Sequence, residues 1–398
     1  MLYFKRITKN FFSLVAVQLI SAIFGIITIP LIISKIGMAD FGVFSVLLSI
    51  VVMINITVDF GINISGVKSV VNLKGTELKS YIMSVFIIRS LIFIILSLFF
   101  VIYIYKTTGG YENSAIIIYA VSAIFQINYY LKSIEKMWVI TLATFFNRLF
   151  SFLLIFFVGN SSILNVILAY TTPYLFVSVV TFFSILYSLK EFKCKANFVT
   201  VRSVFINSYH MFIGVFGSTL YRNLTIPLLS VFLSFEIIGL YSAVEKMLKG
   251  VQGIINSGAE AIYPIICKTK SVEKYYHKIL ILVFIFSTFI MFTVACLIYF
   301  FRNQLSLTMN EYSFMIFLSL SGAFVVGSLC FFIGIMYFFP KGLQKEFSQI
   351  TLFCGFVNVV FILFFGYVGD FDILLMAPLI TEMLIAILLL MKARYRYG

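Results

Sequence analysis

Thr28-Ile29-Pro30-Leu31 returns as Thr225-Ile226-Pro227-Leu228, 197 residues further along the chain. The same offset pairs Asn10 with Asn207, Ser21 with Ser218, Gly42 with Gly239, Phe44 with Tyr241, Ser45 with Ser242 and Gly61 with Gly258. In an apolar chain, matches of Ile and Leu come cheaply; matches of proline and glycine do not. The offset is close to half of the 398 residues, which predicts two copies of one unit, 1–195 and 196–398.

What each copy contains follows from the residues around the repeat. Of the chain, 62% is hydrophobic and 11% charged, against about 25% charged in a typical soluble domain. Apolar runs long enough to cross about 30 Å of hydrocarbon recur throughout. They are read as twelve spans, at 11–33, 41–63, 81–105, 115–131, 139–158, 163–189, 205–234, 238–264, 279–301, 312–338, 350–368 and 373–391. No strand-like alternation runs through them, and only helices or closed barrels satisfy their own backbone in lipid. Lys5, Arg6 and Lys9 precede the first run as in a signal peptide. The run continues to Ile33 without a small-residue cleavage site, so an uncleaved span is expected.

The net charge of +14 is distributed by side. Loops on the side of the termini hold Lys68, Lys74 and Lys79, Lys190, Lys193 and Lys195, and Lys268, Lys270 and Lys274, among others. The opposite loops hold Lys35, Lys106 and Arg302 against Asp40, Glu112, Glu236, Glu311, Asp370 and Asp372. The positive-inside rule then puts both termini in the cytoplasm. Basic loops of this kind are topology signals helped by anionic membrane lipids, so no nucleic-acid partner is expected.

With six spans per half and both halves starting on one side, the repeats are parallel. The predicted fold is therefore all-α and polytopic, two six-helix lobes around a central cavity with alternating access. Pro30 and Pro227 would break or kink spans 1 and 7 and are candidate hinges.

Ionisable residues inside spans are costly, roughly 2.5–3.5 kcal/mol each at a helix centre, and need a cavity or a partner. They are Asp59, Arg89, Arg148, Arg222, Glu245, Lys246, Lys249, Glu260 and Glu382. Asp59, Arg89 and Glu260 lie towards the cytoplasmic third, whereas Arg148, Arg222, Lys249 and Glu382 lie near mid-membrane. Glu245 and Lys249 are i,i+4 neighbours and would neutralise each other; Lys246 projects elsewhere and needs its own partner. The cations Arg148, Arg222, Lys249, Lys246 and Arg89 are candidates to line a cavity for an anionic solute, arginine being suited to bidentate phosphate contact. The bland alternative is interhelical ion pairing, with Glu382 neutralising one of them.

Catalytic signals are missing. The sequence has no Walker-type phosphate loop and no nucleophilic or paired-carboxylate constellation. Cys296, Cys330 and Cys354 lie in apolar runs and Cys194 and Cys267 in basic loops, without metal spacing; His210 and His277 have no nearby partner. No cofactor, metal or enzymatic activity is expected. The opposite-side loops are also too short to carry a polymerase or transferase site.

Asn10, Pro30, Lys35-Ile36-Gly37, Asp40-Phe41-Gly42, Asp59-Phe60-Gly61 and Lys68 resemble the opening of bacterial O-antigen flippases of the Wzx type. Gly239-Leu240-Tyr241-Ser242 and Pro264 resemble the corresponding element of the second half. The resemblance implies a MATE-like member of the multidrug/oligosaccharidyl-lipid/polysaccharide exporter superfamily. Its substrate would be an undecaprenyl-pyrophosphate-linked oligosaccharide carried to the external leaflet, with a polysaccharide polymerase and chain-length regulator as further partners. Relatives often carry an acid in mid-span 7, where this chain has Arg222-Asn223; Asp59, Glu260 or Glu382 would then be left to couple H+ or Na+. Rival readings are a drug or small-solute antiporter of the same superfamily and, from another class, a membrane polymerase or transferase.

Overall fold

The computed structural model describes residues 2–71, 73–108, 112–159, 162–192, 198–268, 276–301 and 312–395; side chains at 2–11, 213–221, 257–268 and 294–301, among others, lie outside that description. Among the described residues every regular element is a helix. In chain order these are α1 (Leu2–Asp59), α2 (Ile62–Val70), α3 (Gly75–Thr108), α4 (Ile117–Phe125), α5 (Asn128–Ser133), α6 (Met137–Phe157) and α7 (Ile163–Ser188). They continue as α8 (Phe198–Leu229), α9 (Phe235–Lys268), α10 (Tyr276–Phe301), α11 (Ser313–Ile333), α12 (Gln344–Val368), α13 (Phe371–Leu375) and α14 (Ala377–Tyr395).

Seven stretches of the described residues are long and apolar enough to cross a membrane, among them Gly75–Ile102, Met137–Phe157, Ile163–Ser188 and Gln344–Val368. Their surfaces confirm the solvent they need. On α3, Leu91, Ile94, Ile95, Leu98, Phe99 and Ile102 repeat at helical spacing and are each more than half exposed. On α12, Phe353, Phe356, Phe364 and Tyr367 do the same. Apolar faces of that extent are incompatible with water and require lipid. α8, α9 and α14 are less apolar because they carry Arg222, Glu245, Lys246, Lys249 and Glu382.

Helix breaks sit where the backbone chemistry allows them. Inside α1 the backbone leaves helical geometry at Gly37, at φ 82° and ψ 171°, a conformation cheap only without a Cβ. It divides the first two predicted spans. Of the expected break or kink at Pro30 and Pro227, a break does not occur: α1 passes through Pro30 and α8 through Pro227 as helix. A proline ring removes one amide donor, but neighbouring hydroxyls can take up freed carbonyls in a membrane helix.

Two compact units result. The first comprises Met1–Phe24 and Leu47–Phe216, the second Gly25–Val46 and Gly217–Gly398. The first unit's core is built from Ile62, Ile82, Val85, Ile88, Ile127 and Tyr129. Phe60, stacked on Phe205 at 4.6 Å and Phe212 at 4.7 Å, and the Ser65–Ser208 hydroxyl contact at 2.8 Å fasten the start of α8 to it. In the second unit α11 packs on α9, α10 and α14. Residues 25–46 belong to this unit because Phe41, Phe44 and Ser45 lie against Lys246 of α9.

Candidate functional site

The second unit encloses a cavity of about 320 Å³ between α8, α9, α11, α12 and α14. Two ion pairs stand in it. Arg222 Nη2 lies 3.9 Å from Glu382 Oε1, and Lys249 Nζ lies 2.8 Å from Glu245 Oε1, the latter pair one helical turn apart. Burial is asymmetric within each pair. The carboxylates are 13% and 11% exposed, whereas the Arg222 and Lys249 side chains are 51% and 46% exposed. Each acid is therefore seated in the wall while its cation keeps an open face. An incoming anion would meet the cations first.

Around these pairs the wall is polar and positioned. Asn358 Nδ2 donates to Thr381 Oγ1 at 2.6 Å, and Thr225 Oγ1 donates to Asn358 Oδ1 at 3.5 Å, linking α8, α12 and α14. Thr225 is the first residue of the repeated tetrapeptide, so the motif supplies a lining group as well as a proline. Gln252 Nε2 donates to the Phe324 carbonyl at 3.4 Å. It also shares a space with Glu382 over Gly327, where a Cβ would meet Gln252 Nε2 at 3.0 Å and Glu382 Cδ at 3.2 Å. Among the described residues the Tyr241 hydroxyl, which also lines the cavity, has no hydrogen-bond partner. A buried hydroxyl in that state favours occupation by a polar ligand or water.

The cavity thus gathers Arg222, Lys249 and Glu382 from the predicted set, and adds Glu245. Other members are elsewhere. Lys246 faces away from the cavity: its Nζ donates to Ser45 Oγ at 2.9 Å and sits over the rings of Phe41 and Phe44 at 5.0 and 5.7 Å. Being one residue from Glu245, it projects about 100° round the helix, and it pins 25–46 to α9 by cation–π contact.

Arg89 and Asp59 form a clamp in the first unit. Arg89 Nη2 and Asp59 Oδ1 are 2.7 Å apart, with Arg89 only 1% exposed. Arg89 Nη1 also donates to the Gln126 carbonyl, at the break between α4 and α5 where the helical ladder is interrupted. Tyr129 covers the guanidinium at 5.6 Å. Arg89 therefore holds a chain break rather than an open cavity, contrary to its placement among the lining cations. Arg148 is surrounded by tyrosines: Nη1 donates to the Tyr170 hydroxyl at 3.4 Å and the guanidinium lies 5.7 Å from the Tyr174 ring. No carboxylate pairs with it among the described residues. The side chain of Glu260 lies outside the described residues.

Sequence reasoning did not single out Asn358, Thr381 or Gln252. The available signal was an amide or hydroxyl interrupting an apolar run, as at Asn358 within Cys354–Leu363.

Apolar outward faces and an all-helical architecture among the described residues define an all-α polytopic membrane protein. The chain belongs to the polysaccharide biosynthesis protein family, whose model matches residues 7–270. It is 22% identical over 271 residues to a protein of Escherichia coli (strain K12) provisionally named an O-antigen transporter. That match covers 66% of this chain, and the chain spans about 65% of the length of this curated relative. In fold it is similar to the lipid II flippase MurJ in an inward closed conformation, at TM-score 0.68 and 15% identity, covering 94% of this chain and 86% of that one. A eukaryotic MATE transporter is matched at TM-score 0.60 and 13% identity, covering 98% and 95%. An inward-facing multidrug resistance MATE transporter of the MOP superfamily gives TM-score 0.58 and 12% identity, covering 96% and 94%.

Proposed function

We propose that this protein is a flippase that moves a lipid-linked glycan, the repeat unit of a surface polysaccharide, from the cytoplasmic to the external leaflet of the bacterial inner membrane. The observation that carries the reading is the pair of half-exposed cations, Arg222 and Lys249, each seated on a buried carboxylate in one cavity of a polysaccharide-family protein. An undecaprenyl pyrophosphate group brings the charge such cations suit, and Arg222 offers a planar fork for it. Asn358, Thr381 and Gln252 supply donors and acceptors of the kind sugar hydroxyls use. Both termini would be cytoplasmic, as the basic loops imply.

Coupling falls to Glu382 in this reading. Protonation, or capture of Na+, would loosen its hold on Arg222 and free the guanidinium for the pyrophosphate. Pro30 and Pro227 remain candidate hinges, and a polysaccharide polymerase and chain-length regulator the candidate downstream partners.

Glu245 and Glu382 balance the two cations, and this favours one second reading, a MATE-like antiporter for a small cationic solute. Depletion of the protein separates the two, with a membrane-impermeant glycan label applied to intact spheroplasts. Lipid-linked glycan accumulating on the cytoplasmic side, with the total pool intact, supports flipping. An unchanged leaflet distribution together with sensitivity to cationic dyes supports the antiporter.

A further inference from the structure

A second cavity lies wholly in the first unit, at one end of α3 and α7. It is an open groove of about 750 Å³ lined by Lys79, Met83, Phe183, Ser184, Tyr187 and Lys190, with Leu186. Its chemistry is graded along the helices. Lys79 stands in the first turns of α3 and Lys190 just beyond the end of α7, so both ammonium groups mark the same terminal side. Met83 follows Lys79 by one turn and Phe183 precedes Tyr187 by one turn, which carries the groove from a basic rim onto apolar walls. Further along, Phe86 and Phe182 join the two helices, ring centroids 5.4 Å apart.

Both lysines are held in place yet keep donors to spare. Lys79 Nζ donates to the Phe192 carbonyl at 2.8 Å. Lys190 Nζ lies over the Tyr187 ring at 4.5 Å and donates to its hydroxyl at 3.3 Å. An ammonium has three donors, and no carboxylate pairs with either lysine among the described residues. Phe183 and Tyr187 are 56% and 69% exposed, so the apolar wall is open to whatever surrounds the helices. Two cations above an exposed aromatic slot match a molecule with a phosphate at one end and a hydrocarbon chain at the other.

We infer that this groove binds an anionic glycerophospholipid, its phosphate between Lys79 and Lys190 and one acyl chain along Met83 and Phe183. A free phosphate ion would leave the apolar wall uncovered. A zwitterionic headgroup would bring its own ammonium against the two lysines. The bulky glycan of a lipid-linked sugar would find few partners here, since among the described residues Ser184 and Tyr187 are the only other polar lining groups.

Native mass spectrometry of the detergent-purified full chain, titrated with phosphatidylglycerol or phosphatidylethanolamine, tests the inference. Each lysine near an anionic headgroup contributes about fivefold in affinity, so the K79Q/K190Q variant should bind phosphatidylglycerol about ten- to thirtyfold more weakly. A K341Q/K345Q control should stay within about twofold, and wild-type protein should prefer phosphatidylglycerol over phosphatidylethanolamine. Because Lys79 also ties α3 to Phe192, the single variant K190Q, at an exposed position, guards against misfolding and should show a partial loss. Equal binding of the two lipids, or unchanged phosphatidylglycerol binding in both K190Q and the double variant, overturns the inference. Displacement of phosphatidylglycerol by equimolar undecaprenyl pyrophosphate also overturns it, by assigning the groove to the polyprenyl lipid.

Discussion

Gly42 and Gly239, equivalent positions in the two copies of the repeat, pack backbone to backbone in one unit. A Cβ on Gly42 would overlap the Phe235 carbonyl oxygen, and a Cβ on Gly239 would overlap the Met38 carbonyl oxygen. Met38 and Phe235 are themselves separated by the repeat offset of 197. The contact is therefore reciprocal: each copy offers a glycine to the same carbonyl of the other. Such close approach is the use of small residues between membrane helices.

G42A or G239A should each destabilise the protein by about 1–3 kcal/mol, the usual cost of overpacking against unyielding atoms. G25A is the control, since nothing lies within 4 Å of a Cβ built there. Thermal unfolding in detergent checks this. Melting temperatures equal to that of G25A in both variants would show that the helices separate at no cost.

The clamp between Asp59 and Arg89 predicts a second stability effect. D59N leaves the buried Arg89 guanidinium without its carboxylate and should cost about 3 kcal/mol, near the lower end for broken buried pairs because Asp59 is 20% exposed. R89M orphans both Asp59 and the Gln126 carbonyl and should be at least as damaging. The double variant D59N/R89M should be less destabilised than the sum of the singles, because no charge is then left unpaired. Additive losses in a thermal-melt cycle would remove the clamp.

These features differ in how legible they were. The all-helical, membrane-spanning character could be read directly because lipid demands long apolar runs, and the Glu245–Lys249 pair because helical geometry makes i,i+4 residues neighbours. The Gly42–Gly239 match was visible as a repeat, but nothing local says that two equivalent glycines touch. Asp59 and Arg89 looked like solitary charges near a membrane face, since residues 30 apart meet only through tertiary packing. Lys246 has the sequence setting of a cavity cation, and only tertiary packing brings Phe41, Phe44 and Ser45 around it. The helix break falls at Gly37 rather than Pro30 because a membrane helix tolerates proline and the positive φ needs glycine.

Lys246 yields a third prediction. K246R keeps the charge and a face for stacking on Phe41 and Phe44, so it should retain most of the stability. K246M loses the Ser45 hydrogen bond and the cation–π contacts and should lose about 1–2 kcal/mol. Protease accessibility of residues 25–46 in the purified protein reports on the pin, and equal protection in both variants would show that Lys246 does not hold this segment.

The two cavity pairs predict a separation of stability from transport. Arg222 and Lys249 are half exposed, and exposed ion pairs contribute about 0–1 kcal/mol. E382Q, which takes a carboxylate only from the half-exposed Arg222, should therefore melt within a few degrees of wild type. R222Q and K249Q each leave a carboxylate 13% or 11% exposed without its cation and should lose about 1–3 kcal/mol. Their effects on glycan translocation should be larger and should differ in kind. R222Q and K249Q remove charge-assisted contacts to the anionic group, each worth about 1.5–3 kcal/mol, and should lower transport about tenfold or more at matched membrane levels. E382Q keeps both cations but removes the carboxylate that competes for Arg222; it should bind pyrophosphate lipid more tightly while turning over more slowly, because release then lacks its competitor. K345Q, at an exposed position away from the cavity, should transport normally. Leaflet assays on reconstituted vesicles, paired with lipid-binding titrations, read both quantities. If R222Q and K249Q transport as well as K345Q, the paired cations play no part in substrate handling. If E382Q weakens pyrophosphate binding instead of tightening it, Glu382 supports Arg222 rather than competing for it.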